Sequence, residues 1–536
     1  MSRYFFIPLL LLLATAGFCL PAQADDTAAL LSGLSGKSFK AKIAVVEKLA
    51  ASGDARVVAP LTALLEGRLH KRKSDGILVI MTKLGGKRHI VDALSGAPLG
   101  EAKPRSFKKI RVNNRLRGVL RGALGALTLF APEPAKRLSA ARSMFKSAAA
   151  DSLPPLAKAY LQETEADVRE ALARTLAAAR LRHGSSEEKL AAAEILSGFP
   201  DQEVRDLLAN TAQTAQGDLL QAVNRAHAGI EQRLAFFDIL QNIFQGISLG
   251  SVLLLAAIGL AITFGVMGVI NMAHGEMVML GAYTTHVVQV MMQTYFPGAF
   301  AHSLLLAIPT AFLVTGLFGI FLERSVIRFL YGRPLETLLA TWGLSLILQQ
   351  FVRSIFGPTN REVIAPSWMS GSIEITGGLV LTHNRIWIIV FAALVFILLT
   401  LLIRYTDFGL RMRAVTQNRP MANAVGIRSS WVDAMTFGLG SGVAGLAGVA
   451  LSQIDNVSPN LGQGYIIDSF LVVVFGGVGN LWGTLVGALS LGMANKFLEP
   501  YAGAVLAKII ILFLVILFIQ KRPRGLFALK GRAVEA

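Results

Sequence analysis

In the second half of this 536-residue chain a few hydrogen-bonding side chains stand in otherwise apolar stretches. They are Asn271, His274 and Glu276, then Thr341, Ser345, Gln349 and Gln350, and finally Asn480. Polar groups in such surroundings are costly unless paired or hydrated. Glu276 is the ionisable residue most clearly inside an apolar segment. It could bond His274 or a freed backbone N–H and brace a broken helix. None of these residues forms a catalytic set. His70, His89 and His183 lack metal-ligand spacing, so no metal site is expected. The single cysteine, Cys19, rules out a disulfide and a thiolate cluster. No Gly-x-x-x-x-Gly-Lys-Ser/Thr phosphate loop occurs, so the chain is expected to bind no cofactor and to hydrolyse no ATP itself.

The elements that position these residues divide into two halves. Before about residue 240 apolar residues come in short periodic clusters among many charges, and from Ile243 onward long apolar stretches carry almost none. Lys and Arg exceed Asp and Glu by 18, yet a nucleic-acid partner would need an accessible cytoplasmic basic face. The start of the chain argues for export instead. Arg3, an apolar run from Tyr4 to Leu20, and Ala22-Gln23-Ala24 have the layout of a cleavable signal peptide over residues 1–24.

Residues 25–240 read as an exported helical domain. Helical spacing recurs in Phe39, Ile43, Val46 and Leu49, in Leu116, Val119, Leu120, Leu124 and Leu127, and in Val168, Leu172, Leu176 and Ala179. Asp54-Ala55-Arg56-Val57, Asp167-Val168-Arg169 and Asp201-Gln202-Glu203-Val204-Arg205 look like helix starts, with Asp as cap and Val opening the buried face. The last two lie 34 residues apart and resemble the start of HEAT-type repeats, which implies an α-solenoid. Over 69–109 the helical period breaks, and Gly76 to Met81 followed by His89-Ile90-Val91 predicts a small β insertion. From Arg68 to Arg121 there are 15 Lys and Arg against three acidic residues, a surface for anionic headgroups, a subunit or a binding protein, or merely a solvated face.

Residues 241–536 predict an all-α polytopic membrane domain of about nine spans, at 243–266, 272–292, 303–322, 335–355, 386–403, 432–452, 466–478, 481–497 and 503–519. An exported N-terminus and nine spans place the C-terminus in the cytoplasm. The basic segments Arg324 to Arg333, Arg404 to Arg428 and Lys521 to Arg524 then all fall inside. Lys496 and Lys508 would snorkel near outer ends.

Asn271-Met272-Ala273-His274-Gly275-Glu276 with Leu280-Gly281-Ala282-Tyr283 resembles the signature of the permease subunits of branched-chain amino-acid type ABC importers. Pro334 to Ser345, Asp407 to Ala414, Asn418 to Ile427, Phe475 to Asn480 and Arg522 to Phe527 extend the resemblance over nearly all of 240–530. It implies a non-enzymatic permease in a bacterial inner membrane, with a second homologous permease, two cytoplasmic ATPase subunits that use ATP, a periplasmic binding protein and membrane lipid as partners. The segment with Arg411, Arg413, Met421, Ala422, Ala424, Val425 and Gly426 looks like the ATPase-coupling loop of that family. Independently, Met421, Ala422, Ala424 and Val425 suit a short amphipathic helix ended by Gly426, able to dock in a partner's groove.

The signal peptide, the long N-terminal domain and Lys108 to Arg117 resemble urea-type permeases of this family. Asp468 stands where amino-acid permeases tend to have Lys. The resemblance therefore implies urea, with branched-chain amino acids and a passive small-solute channel as alternatives. A path for urea needs polar uncharged groups in a narrow bore, and Asn271, His274, Thr341, Ser345, Gln349 and Asn480 are its candidates, with Glu276 either bracing a helix or touching solute. A sensor module merely anchored by its spans would not need so many polar-punctuated ones.

Overall fold

Short polar residues ahead of apolar periodic runs start several helices of the N-terminal unit in the computed structural model, which describes residues 23–527 apart from 37, 53, 85–86, 102–105 and 376–377. The expected signal peptide, with Cys19, lies outside the described residues except for Gln23 and Ala24, which open helix α1 (Gln23–Ser32). Then come α2 (Phe39–Ala51), capped by Ser38, and α3 (Val58–Leu65). Where the helical period breaks, five strands form one antiparallel sheet: β1 (Leu69–Arg72), β2 (Leu78–Leu84), β3 (Lys87–Asp92), β4 (Pro98–Glu101) and β5 (Phe107–Lys109), in the order β4-β3-β2-β1-β5. Leu69, Leu78 and Ile80 bury one face of it in a core shared with Val46, Leu49, Leu61 and Leu116.

Helices then resume with α4 (Asn114–Thr128), α5 (Pro134–Met144), α6 (Leu153–Gln162), α7 (Ala166–His183), α8 (Ser186–Leu196) and α9 (Gln202–Ala212). Of the three expected aspartate caps, Asp201 caps α9 through the Val204 N–H at 2.9 Å. Asp167 instead sits inside the first turn of α7, whose cap position is Glu165. Asp54 accepts from the Arg56 N–H and grips its guanidinium at a 3-10 turn ahead of α3. Val57, Val168 and Val204 are buried in all three cases, so burial of the valine is shared where the cap geometry is not. Arg174 of α7 bonds Asp201 and Glu203, and the Thr175 hydroxyl donates to the Ala141 carbonyl of α5, tying α7 to α5 and to the start of α9.

The chain divides into two compact units, 1–234 and 235–536, within the continuous α10 (Gly217–Met267). The second unit continues with α11 (His274–Tyr295), α12 (Ser303–Ser325), α13 (Pro334–Phe356), a hairpin of β6 (Ser372–Ile375) and β7 (Leu379–Thr382), and α14 (His383–Tyr405). Two short helices follow, α15 (Asp407–Gln417) and α16 (Arg419–Ala424), and then α17 (Ser429–Leu451), α18 (Leu461–Gly476) and α19 (Leu481–Lys521).

Among the described residues six helical stretches are long and apolar enough to cross a membrane: α10, α13, α14, α17, α19 and the stretch containing α12. That is fewer than the nine expected. With 16 residues α18 is short, and α11 is diluted by His274, Glu276, Thr284, Thr285, His286 and Gln289. The last two expected spans both fall within α19, which is two helical segments meeting at a kink where Gly503 has the non-helical angles φ 76° and ψ 161°.

The most buried helix of this unit is α17, and its glycines explain how. A Cβ on Gly445 would strike Thr315 of α12, one on Gly281 of α11 would strike the Gly445 backbone, and one on Gly440 would come within 2.7 Å of the Gly259 carbonyl of α10. Small residues let backbones approach to van der Waals contact where no hydrophobic force distinguishes protein from lipid.

Candidate functional site

Asn271 ends the turn between α10 and α11 by accepting from the Ala273 N–H (3.0 Å), which sets the entry of α11. His274 and Glu276 thereby occupy the first turn of that helix. His274 Nε2 lies 2.9 Å from the Ala256 carbonyl of α10, and its Nδ1 has no partner. A Cβ on Gly259 would come within 2.8 Å of the imidazole, so the ring is held by backbone on one side.

Thr341, Ser345 and Gln349 lie four residues apart on α13 and form one stripe facing the start of α11. Thr341 accepts from the Met272 N–H at 3.1 Å and donates to the Thr337 carbonyl at 2.8 Å. The Ser345 hydroxyl and the Gln349 Nε2 each donate to Glu276 Oε1 at 2.8 Å, and Gln349 Nε2 also lies 3.1 Å from Ser345 Oγ. Glu276 Oε2 is buried without a partner, and among the described residues no Lys or Arg pairs with this carboxyl. Among the described residues neither of the expected alternatives, His274 or a freed backbone N–H, bonds this carboxyl, and the imidazole turns to α10 instead.

Of the seven path candidates Glu276, Ser345 and Gln349 are hydrogen-bonded together, Thr341 joins α13 to Met272, and Asn271 and His274 bond the Ala273 N–H and the Ala256 carbonyl; all six are 6% exposed or less. Asn480 is not among them. It caps α19, accepting from the Trp482 and Gly483 N–H groups and donating to the Phe527 carbonyl. Gln350 faces away and is exposed. Chemically the cluster offers a carboxyl oxygen with free acceptor capacity, beside a hydroxyl and an amide, which suits a small ligand rich in N–H donors.

The coupling-like segment separates its candidates. Asn418 caps α16 through the Met421 N–H at 3.0 Å, Pro420 occupies its first turn, and Gly426 ends the segment at φ 88°. Met421 and Val425 are exposed one turn apart, Ala424 is exposed, and Ala422 is buried. Arg411 is exposed, whereas Arg413 folds back onto the Ile403 and Arg404 carbonyls at the end of α14. Lys508 bonds Asp468 Oδ2 at 2.9 Å and Lys496 bonds Glu499, so each of these cations has a carboxylate partner.

Sequence reading missed two buried carboxylates, Glu323 and Asp433. The Tyr331 hydroxyl donates to Glu323 Oε1 at 2.9 Å, and Arg419 holds Asp433 with two hydrogen bonds. The signal that could have found them is an acidic residue at the end of an apolar run next to a basic loop, which must find a cation or donor there.

The profile of the family described as branched-chain amino acid transport system / permease component matches residues 242–519. The high-affinity branched-chain amino acid transport system permease protein LivH of Salmonella typhimurium is 32% identical over 301 residues, 54% of this chain and 96% of its own. The corresponding protein BraD of Pseudomonas aeruginosa is 31% identical over 296 residues, with the same shares. The ribose import permease protein RbsC of Bacillus subtilis is 34% identical over 113 residues, 20% of this chain and 35% of its own. No solved structure matches the chain. The family match includes the cluster around Glu276 and the segment around α16, and begins after the N-terminal unit.

Proposed function

This chain belongs to the family of branched-chain amino acid transport system permease components, and from that premise we propose that it is the permease subunit of an ATP-driven importer whose solute is urea. The reading has it work beside a second permease, two ATPases and a periplasmic binding protein. The observation that carries the solute is the Glu276, Ser345 and Gln349 cluster, an uncharged set of donors around a carboxyl whose second oxygen is unpartnered. Urea presents four N–H donors and one acceptor and no net charge, so it can meet such a set without a counter-ion. Lys508 neutralises Asp468, so that pair adds no net fixed charge for a neutral solute to contend with. The N-terminal unit, outside the family match, supports the urea reading through its resemblance to urea-type permeases and is proposed as an exported HEAT-type module.

The second reading is a branched-chain amino acid, favoured by the names of the relatives that the chain matches over nearly their whole length. Membrane vesicles holding the whole importer, given labelled urea or leucine with and without ATP, separate the two. ATP-dependent urea uptake supports the first reading and ATP-dependent leucine uptake replaces it with the second. Urea flux indifferent to ATP would make the protein a channel.

A further inference from the structure

The two buried carboxylates that the solute cluster does not use, Glu323 and Asp433, are joined around the helix proposed to meet the ATPase. Arg419, the first residue of α16, donates from Nη1 to Asp433 Oδ2 at 2.6 Å and from Nη2 to Asp433 Oδ1 at 3.0 Å. The Asp433 side chain, in the second turn of α17, is 1% exposed, while that of Arg419 is 36% exposed. The same guanidinium lies 5.6 Å from the centre of the Tyr331 ring. Tyr331 in turn donates to Glu323, at the C-terminal end of α12. The neighbouring Arg324 stacks 5.0 Å from the Trp431 ring of α17. Glu323 Oε2 has no hydrogen-bond partner, with Arg324 Nε 3.6 Å away.

A two-pronged Arg–carboxylate pair fixes both the distance and the plane of its partners. With Asp433 desolvated, the guanidinium cannot leave without stranding a buried charge. A displacement of α16 must therefore move the start of α17. Farther along, α17 and α12 leave no slack, because a Cβ on Gly442 would come within 2.7 Å of the Phe312 ring and one on Gly319 would strike Ser441. The glycine contacts of α17 with α11 continue the same tight packing toward the helix that carries Glu276. Packed elements of this kind shift as rigid bodies rather than deform.

We propose that the Arg419–Asp433 bridge, seated on Tyr331 and Glu323, is the joint that converts movement of α16 into movement of the α12 and α17 pair, and that Arg419 is a positioning residue for transport rather than an ATPase contact. The inference rests on the importer reading. It differs from docking, which falls to the exposed Met421 and Val425.

The test uses the whole importer in proteoliposomes, following labelled urea and leucine uptake together with ATP hydrolysis. Arg419→Ala should still retain the ATPase subunits through purification and still hydrolyse ATP, while solute moved per ATP falls by about tenfold. The reversed pair, Arg419→Asp with Asp433→Arg, should recover more of that ratio than either single variant. If Arg419→Ala does not accumulate, Arg419→Lys keeps the charge without the two-pronged geometry, and a lowered ratio supports the joint equally. An unchanged ratio in the accumulating variant, or loss of the ATPase subunits from it, overturns the joint. Absence of ATP-driven uptake of either solute by the unaltered importer overturns the importer reading, and the joint with it.

Discussion

Glu276 is held by one hydroxyl and one amide rather than by a cation, so each donor matters. Ser345→Ala leaves its Oε1 with Gln349 alone, and should cost about 1 kcal/mol of stability and lower uptake. Melting in detergent and uptake both unchanged would remove Ser345 from the site. Glu163, in the N-terminal unit, shows the opposite arrangement. Arg137 bonds both its oxygens, at 2.7 and 2.9 Å, and with the Glu165 and Thr164 N–H groups holds the carboxyl below its usual range against the effect of burial. A depressed folded pKa means the pair stabilises above the unfolded value of about 4.3 and loses that contribution as pH falls through the folded value. The melting difference between the native chain and Glu163→Gln should therefore shrink as the buffer is taken from neutral to below about pH 4, and a constant difference would contradict the assignment. The residue types at these positions were readable from the sequence, but their partners were not. Proximity in the chain offers Glu276 either His274 or a freed backbone N–H, whereas its donors come from 69 and 73 residues away.

At the scale of elements, apolar periodicity located α2, α4 and α7 and long apolar runs located the large helices from α10 onward, because burying one stripe or a whole cylinder leaves a mark in local composition. Two features escaped it. Capping depends on backbone angles, so one aspartate phrase produced a cap at Asp201 and other geometries at Asp167 and Asp54. Span counting depends on helix length and on how far polar residues dilute a helix, which separated α11 and α18 from the simple count. The glycine contacts of α17 allow a sharp prediction. Gly281→Leu forces a side chain into the Gly445 backbone and should destabilise the chain by about 1–3 kcal/mol or prevent its accumulation. Gly343→Ala on α13, where a Cβ meets nothing within 4 Å, is the control. Equal melting temperatures for the two variants would mean that the α11 and α17 backbones are not in contact.

For the whole molecule, the arrangement across the membrane is a reading of charge: basic residues gather at 324–333, 404–428 and 521–524, and the loop 452–465 has none. With Cys19 replaced by Ser, single cysteines at Ser95 and Ser430 test it in spheroplasts. A membrane-impermeant maleimide should label Ser95→Cys at once and Ser430→Cys only after permeabilisation, and the reverse order would invert the proposed topology. The sequence by itself determined that this chain has a charged helical half and an apolar helical half, and its motifs pointed to the permease family, because hydropathy and contiguous motifs are local properties of a chain. Only the tertiary structure decided that Ser345 and Gln349 meet Glu276 while Thr341 accepts from the Met272 N–H and Asn480 caps a helix elsewhere, and that Arg419 reaches Asp433 and Tyr331. Such pairings depend on which helices lie side by side and how glycines let them approach, and neither is written in the spacing of residues along one helix.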